Sequence, residues 1–174
     1  PQEEATFETV NVSDNVYCLY GAGGNIGILK GEKGILLVDS QYAKYSSQIL
    51  EEIKKISLDP IMYLINTHYH GDHVDGNSIL GKDATIISHI NCKNSMLKGK
   101  KPEEEADNLG IPEETFDKEM TIDMGTETVK LLYSGPGHSS GDTVVVFENS
   151  GVIHAGDLFF HGIPPYIDVN DGSD

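Results

Sequence analysis

"THYHGDHVDGN", Thr67 to Asn77, sets three histidines and an aspartate, His68, His70, Asp72 and His73, within six consecutive positions. Ahead of it runs "IMYLINT", a mostly apolar stretch suited to a buried strand. Side chains alternate across a strand, so His68 and His70 point the same way wherever the backbone stays extended. Gly71 then permits a turn that brings Asp72 and His73 in from a different direction. Imidazole and carboxylate suit zinc, and also iron or manganese. A catalytic zinc commonly takes three protein ligands and leaves one position for water. Four such groups therefore fill one site, or serve two adjacent metals with help from elsewhere in the chain.

Two later segments offer that help. "SGPGHSSGD" places His138 in a glycine-rich loop between the strand signals "ETVKLLYS" and "TVVVFEN". "VIHAGDLFF" places Asp157 just beyond another apolar strand. Loops at strand ends can converge on one edge of a sandwich. That three separate segments share this position is a stronger argument than the number of histidines.

Outward from the motif, the first forty residues read as short strands, "TFETVNV", "VYCLY", "NIGILK" and "GILLVDS", joined by tight turns. "GAGGNIG" fails the dinucleotide fingerprint, because Ile26 stands at its last glycine and a strand follows, so it reads as a hairpin or a loop passing close to a site. Tyr42, Tyr45, Ile49, Ile53 and Ile56 fall at helical spacing, and Pro60 closes that helix. "ATIISHI" reads as a strand with a short helix around Asn91 to Leu97 behind it. Residues 98–120 are charged and punctuated by Pro102, Gly110 and Pro112, and read as an exposed connection with a helical turn. Strands, a helix and strands again give a mixed α/β layering.

Composition sets bounds. At 174 residues with 38% hydrophobic content, one domain over 1–174 with a substantial core is the simplest organisation. A net charge of −16 argues against nucleic acid as partner, and no apolar run reaches the roughly 20 residues that span a bilayer. Cys18 and Cys92 read as buried free thiols rather than a disulfide framework or metal ligands. The chain begins at Pro1, which fits a secreted or periplasmic protein after signal removal and equally a cytoplasmic protein with a different start; oligomeric state stays open.

"THYHGDH", "GPGHSSGDTVVVF" and "VIHAGDLFF" resemble, in order, the metal-binding segments of the metallo-β-lactamase-fold hydrolases, whose signature is H-x-H-x-D-H. "GAGGNIGILKGEKGILLVDS" is similar to the N-terminal strands of the same superfamily, so the likeness covers nearly the whole chain. The resemblance implies an α/β fold, the four-layer αβ/βα sandwich, with a dinuclear site between its sheets. It implies that His68, His70 and His138 hold a first metal, that Asp72 and His73 serve a second, and that Asp157 bridges both. A bridging aspartate looks like the glyoxalase II-like branch rather than the β-lactamase subclass that has cysteine there. The family supplies a later histidine and a closing helix, which this chain, ending at Asp174, lacks; we expect it to be C-terminally truncated.

The chemistry implied is a metallo-hydrolase, with two zinc ions expected and iron or manganese as alternatives. Metal lowers the pKa of bound water so that hydroxide forms near neutral pH, and polarises the carbonyl of a small ester, thioester, lactone or lactam. Asp72 is the expected catalytic residue, orienting that hydroxide and handling a proton. The alternatives are an iron-dependent oxidoreductase of the persulfide dioxygenase type on the same fold, and a non-catalytic metal-binding remnant. Gly137 to Gly141 also satisfies G-x-S-x-G, the serine nucleophile elbow, but the strand signal after it contradicts the helix that elbow needs. "DVNDGSD" superficially resembles a calcium loop with its glycine one place early, and reads as a solvated loop. His89 and His154 read as packed or hydrogen-bonded residues, and His161 as a pocket or loop residue.

Overall fold

The computed structural model describes residues 5–98 and 110–172. Seven strands form one sheet in chain order: β1 Glu8–Ser13, β2 Val16–Tyr20, β3 Ile26–Gly31, β4 Gly34–Val38, β5 Ile61–Asn66, β6 Thr85–His89 and β7 Glu114–Phe116. β1 to β4 form an antiparallel meander and β4 to β7 run parallel. The β3–β4 turn depends on Gly34, whose φ of +113° lies where a side chain is strongly disfavoured.

Parallel neighbours need a crossover, and the sequence supplies one between β4 and β5. A short 3₁₀ turn, Ala43–Tyr45, leads into α1, Ser46–Ile56. Tyr45 of the turn and Ile49 and Ile53 of α1 form one apolar stripe and pack on Ile28, Ile35, Leu37 and Leu64 of the sheet. Full burial of each isoleucine contributes about 1.5–3 kcal/mol. β5 and β6 are joined by two one-turn helices, α2 Gly71–Val74 and α3 Asn77–Leu80, and α4 Ile90–Leu97 follows β6.

Four antiparallel strands make the second sheet, β8 Glu119–Asp123, β9 Thr128–Leu132, β10 Val144–Phe147 and β11 Val152–His154, in the order β11-β10-β9-β8. The opposite face of the first sheet meets it: Leu29, Leu36, Val38, Ile65 and Ile87 pack on Ile122, Val129, Leu131, Val145 and Phe147. Both faces of β4, GILLV, are therefore covered, and all five of its residues are buried. This is the mixed α/β sandwich expected from the sequence.

One expectation needs correction. The stretch 98–120 was to be an exposed connection, yet β7 and the start of β8 lie within it. β7 is legible only through its partners: it pairs parallel with β6, and Phe116 drops into the core between the sheets. Glu113 Oε2 accepts from Ile86 N–H at 2.7 Å, so an acidic side chain serves the sheet edge. Its acidic residues hid a three-residue strand with a single apolar anchor. Residues 99–109, where the helical turn was expected, lie outside the described residues.

The backbone geometry places the chemistry at one rim. β4, β5 and β6 end together, so Asp39, Thr67 and His68 emerge side by side. Thr143 N–H donates to Thr67 O at 2.7 Å, tying that rim to the loop between β9 and β10.

Candidate metal centre

His68 leaves the end of β5 and His70 follows two residues on, while His138 comes from the β9–β10 loop. His68 Nε2 lies 3.2 Å from His70 Nδ1, and His138 Nε2 lies 2.9 Å from the same atom. The far nitrogen of each ring has its own partner. His68 Nδ1 is 3.0 Å from Thr67 Oγ1, His70 Nε2 is 3.1 Å from Asp168 Oδ2, and His138 Nδ1 is 2.6 Å from Tyr166 O. Carboxylate and carbonyl accept only, and the Thr67 hydroxyl spends its proton on Asp39 Oδ2. Each far nitrogen is therefore the protonated one, and three lone pairs face one another. Ligands set tetrahedrally about 2 Å from an ion lie about 3.3 Å apart, close to this spacing. A cation fits the arrangement, and burial with neighbouring imidazoles drives the His68 pKa far down, as lone-pair donation requires.

A second group is formed by His68, His73 and Asp157, their ligand-capable atoms within 4.8 Å of one another, as in the first. Asp157 enters from the 3₁₀ turn Gly156–Leu158 after β11. Its Oδ1 is 3.2 Å from His73 Nε2, while its Oδ2 is 3.6 Å from His138 Nε2 and 4.0 Å from His68 Nε2. One carboxylate thus presents one oxygen to each group. His73 Nε2 is buried without a hydrogen-bond partner of good geometry. Asp72 belongs to neither group of three; its Oδ2 lies 3.7 Å from His73 Nε2 and its side chain is part-exposed.

Comparison with known proteins decides the ancestry. The profile of the metallo-beta-lactamase superfamily matches residues 19–173. The chain belongs to the metallo-β-lactamase superfamily. Relatives include a hydroxyacylglutathione hydrolase of Chelativorans sp. (strain BNC1), 30% identical over 141 residues that make up 78% of this chain and 48% of that protein. A type 2 metallo-β-lactamase of Bacillus cereus is 26% identical over 132 residues, 75% of this chain and 49% of that one. The chain thus spans about half the length of these curated relatives. Among solved structures, the fold is shared with a metallo-β-lactamase from Pontibacter korlensis at a TM-score of 0.71 and 17% identity, covering 86% of this chain and 71% of that one. A subclass B3 metallo-β-lactamase of Bradyrhizobium japonicum gives 0.66 at 25% identity, covering 81% and 56%.

In this superfamily member, the most consequential residue that sequence reading passed over is Asp39. It is fully buried at the end of β4 with a φ of +67°, a conformation uncommon outside glycine. His73 Nδ1 donates to its Oδ2 at 2.7 Å, and Thr67 N–H to its Oδ1 at 2.8 Å. Burial opposes charge on His73, but Asp39 and Asp157 at its two nitrogens override that and carry its pKa to about 10. The signal was available: a carboxylate directly after an all-apolar parallel strand sits at the sheet rim where α/β proteins place their sites.

The glycine-rich loop between β2 and β3 does pass the site. Gly24 N–H donates to Asp72 O at 3.2 Å, Gly24 O accepts from Gln41 Nε2 at 2.6 Å, and a Cβ on Gly24 would overlap the His73 ring. "DVNDGSD" differs from the solvated loop expected. Asp168 is buried, accepts from Tyr69 Oη as well as His70, and its own N–H donates to His138 O at 2.8 Å. Asp171 holds Ser140 Oγ at 2.7 Å and Ser95 Oγ at 2.6 Å. These acids are spent on protein donors that fix the His70 and His138 segments.

The remaining readings resolve simply. Ser139 is buried and donates to Asp142 Oδ1 at 2.7 Å, and β10 follows, so the serine elbow is not formed. His89 and His154 are engaged with the backbone oxygens of Asp117 and Asn25. His161 lines the cavity beside Asp157. Both cysteines are free thiols, Cys92 buried and Cys18 half-buried.

Proposed function

We propose that this chain carries the active centre of a metal-dependent hydrolase, with two zinc ions as its cofactors. The observation that supports it best is Asp157, whose two oxygens face two histidine groups that share His68. His68, His70 and His138 would hold one ion; His73 and Asp72 would hold the other, with Asp157 between. Bound there, such ions supply acidified water and an electrophile for a carbonyl oxygen.

The protein's own groups do the rest. Asp72, part-exposed and 3.7 Å from His73 Nε2, would orient the attacking water and accept its proton. Asp39 and Asp168 fix the rings of His73 and His70 from behind, which keeps the donor atoms pointed inward. The substrate class that suits this chemistry is a small ester, thioester, lactone or lactam. The names of the relatives, a hydroxyacylglutathione hydrolase and a metallo-β-lactamase, fall within it.

The test is reconstitution of the purified protein with zinc, iron or manganese, followed by metal analysis and a panel of those four substrate types. The expected result is hydrolysis that needs zinc, is lost with chelator, and falls at least a hundredfold in Asp72→Ala. Oxygen uptake dependent on iron, or hydrolysis indifferent to chelator, overturns the assignment.

A further inference from the structure

A cavity of about 530 Å³ opens directly from the second histidine group, within the range of about 300–1,000 Å³ that houses a small organic ligand. Asp72, His73 and Asp157 form its reactive end. Away from them the walls turn apolar: Tyr17 and Tyr20 come from β2, Val152 and Ile153 from β11, and Phe159 and Phe160 from the segment after Asp157. Three of these are exposed, Ile153 at 62%, Phe159 at 70% and Tyr20 at 44%. Large apolar side chains gathered around one cleft mark a surface that gains by being covered.

Charge sharpens the reading. Among the described residues the carboxylates that line the cavity, Asp72 and Asp157, both sit at its reactive end beside His73, and no lysine or arginine lines it. The apolar wall therefore offers the rest of a ligand no permanent cation to pair with. An uncharged chain is favoured there; an anionic tail would lose hydration without gaining a partner.

We infer that this cavity receives an uncharged, apolar acyl group, so that the preferred substrates are neutral alkyl-acyl esters or lactones rather than anionic conjugates. The inference rests on the hydrolase reading for its reaction but on the cavity alone for its specificity.

Binding and turnover test the two separately. N-methylalkanamides from acetamide to decanamide are neutral, resist hydrolysis and carry the acyl chain alone; their affinity is measured calorimetrically on zinc-loaded and zinc-free protein. We expect affinity to climb by about fourfold per added methylene over the middle of the series. Ile153→Glu and Tyr20→Glu alter exposed residues, so the fold, checked by circular dichroism, should be retained while the climb is lost. Affinity that stays flat with chain length, or a climb untouched by both substitutions, overturns the inference. In parallel, kcat/KM is measured on zinc-loaded protein for 4-nitrophenyl esters of the same chains and for an ester ending in a carboxylate. Hydrolysis without preference for chain length, or with preference for the anionic ester, sinks the specificity and leaves the hydrolase standing. Chain-dependent amide binding with no ester turnover does the reverse.

Discussion

His73 Nδ1 donates to Asp39 Oδ2 at 2.7 Å, with both side chains buried, and Thr67 Oγ1 donates to the same oxygen at 2.7 Å. Thr67 Oγ1 in turn accepts from His68 Nδ1 at 3.0 Å. One buried carboxylate therefore orients a ring in each of the two histidine groups, directly for His73 and through a hydroxyl for His68.

Asp39→Asn separates charge from shape. Asparagine tolerates the left-handed backbone at this position, but its amide offers a neutral acceptor, or a donor turned toward an N–H. Zinc affinity should fall about 10- to 100-fold, as for lost partners of ligating histidines elsewhere. Competition with a chromophoric chelator measures it, and affinity within twofold of the parent would show that Asp39 does not orient the rings.

Gly24→Ala tests whether the glycine loop is shaped around His73. The added methyl would meet Cε1, Nε2 and Nδ1 of that buried ring, which Asp39 holds from behind. Overpacking of this kind costs about 1–3 kcal/mol. The outcome expected is a lower unfolding midpoint in urea together with loss of one of two bound zinc ions by elemental analysis. Unchanged stability with two ions retained would mean the loop moves aside freely.

How much was readable in advance divides by interaction range. Apolar runs with turn signals marked β4, β5 and β10, and helical spacing marked α1, because burial on one or both faces leaves an apolar pattern in the chain itself. The grouping of His68, His70, His138 and Asp157 was likewise visible as four ligand-capable residues in loops at strand ends. β7 was not, since a single Phe116 decides it and its pairing partner β6 is distant in sequence. Asp39 and Asp168 escaped for a related reason. The histidines they accept from are 34 and 98 residues away, so Asp39 showed only its place after an apolar strand, and Asp168 looked like any other acid in a chain with 28 of them.

Asp168→Asn addresses the first histidine group. Tyr69 and then His70 donate to this carboxylate, holding its pKa at about 2, so it is ionised throughout the working range. Removal of the charge weakens the acceptor that fixes His70 Nε2–H and thus aims Nδ1 inward. Zinc affinity should drop about tenfold or more, with Tyr69→Phe giving a smaller loss in the same direction. Cobalt substitution gives a second readout: the visible spectrum of the first ion should change in Asp168→Asn. An unchanged spectrum and affinity would leave Asp168 as a loop anchor only.

A pH dependence of folding is expected from His89, which lies apart from both histidine groups. Its Nε2–H donates to Asp117 O at 2.9 Å, and Asn91 N–H donates to its Nδ1 at 3.2 Å, closing the first turn of α4. The ring stacks on Tyr133 with centroids 3.7 Å apart. Only the neutral ring can accept from Asn91, and burial accordingly lowers its pKa. The unfolded chain has the ordinary value of about 6.5 and takes up a proton first as pH falls. Below about 6.5 the unfolded state therefore binds more protons than the folded one, and stability declines with falling pH. His89→Gln does not titrate, and its lost stacking costs the same at every pH. The stability gap between parent and variant should be widest above pH 7. It should narrow toward pH 5 by up to about 1.4 kcal/mol for each unit by which the folded pKa lies below 6.5. Urea unfolding of both proteins across that range measures it, metal-linked effects being common to the two. A gap that stays constant or widens toward acid would show that His89 is not the neutral cap of α4.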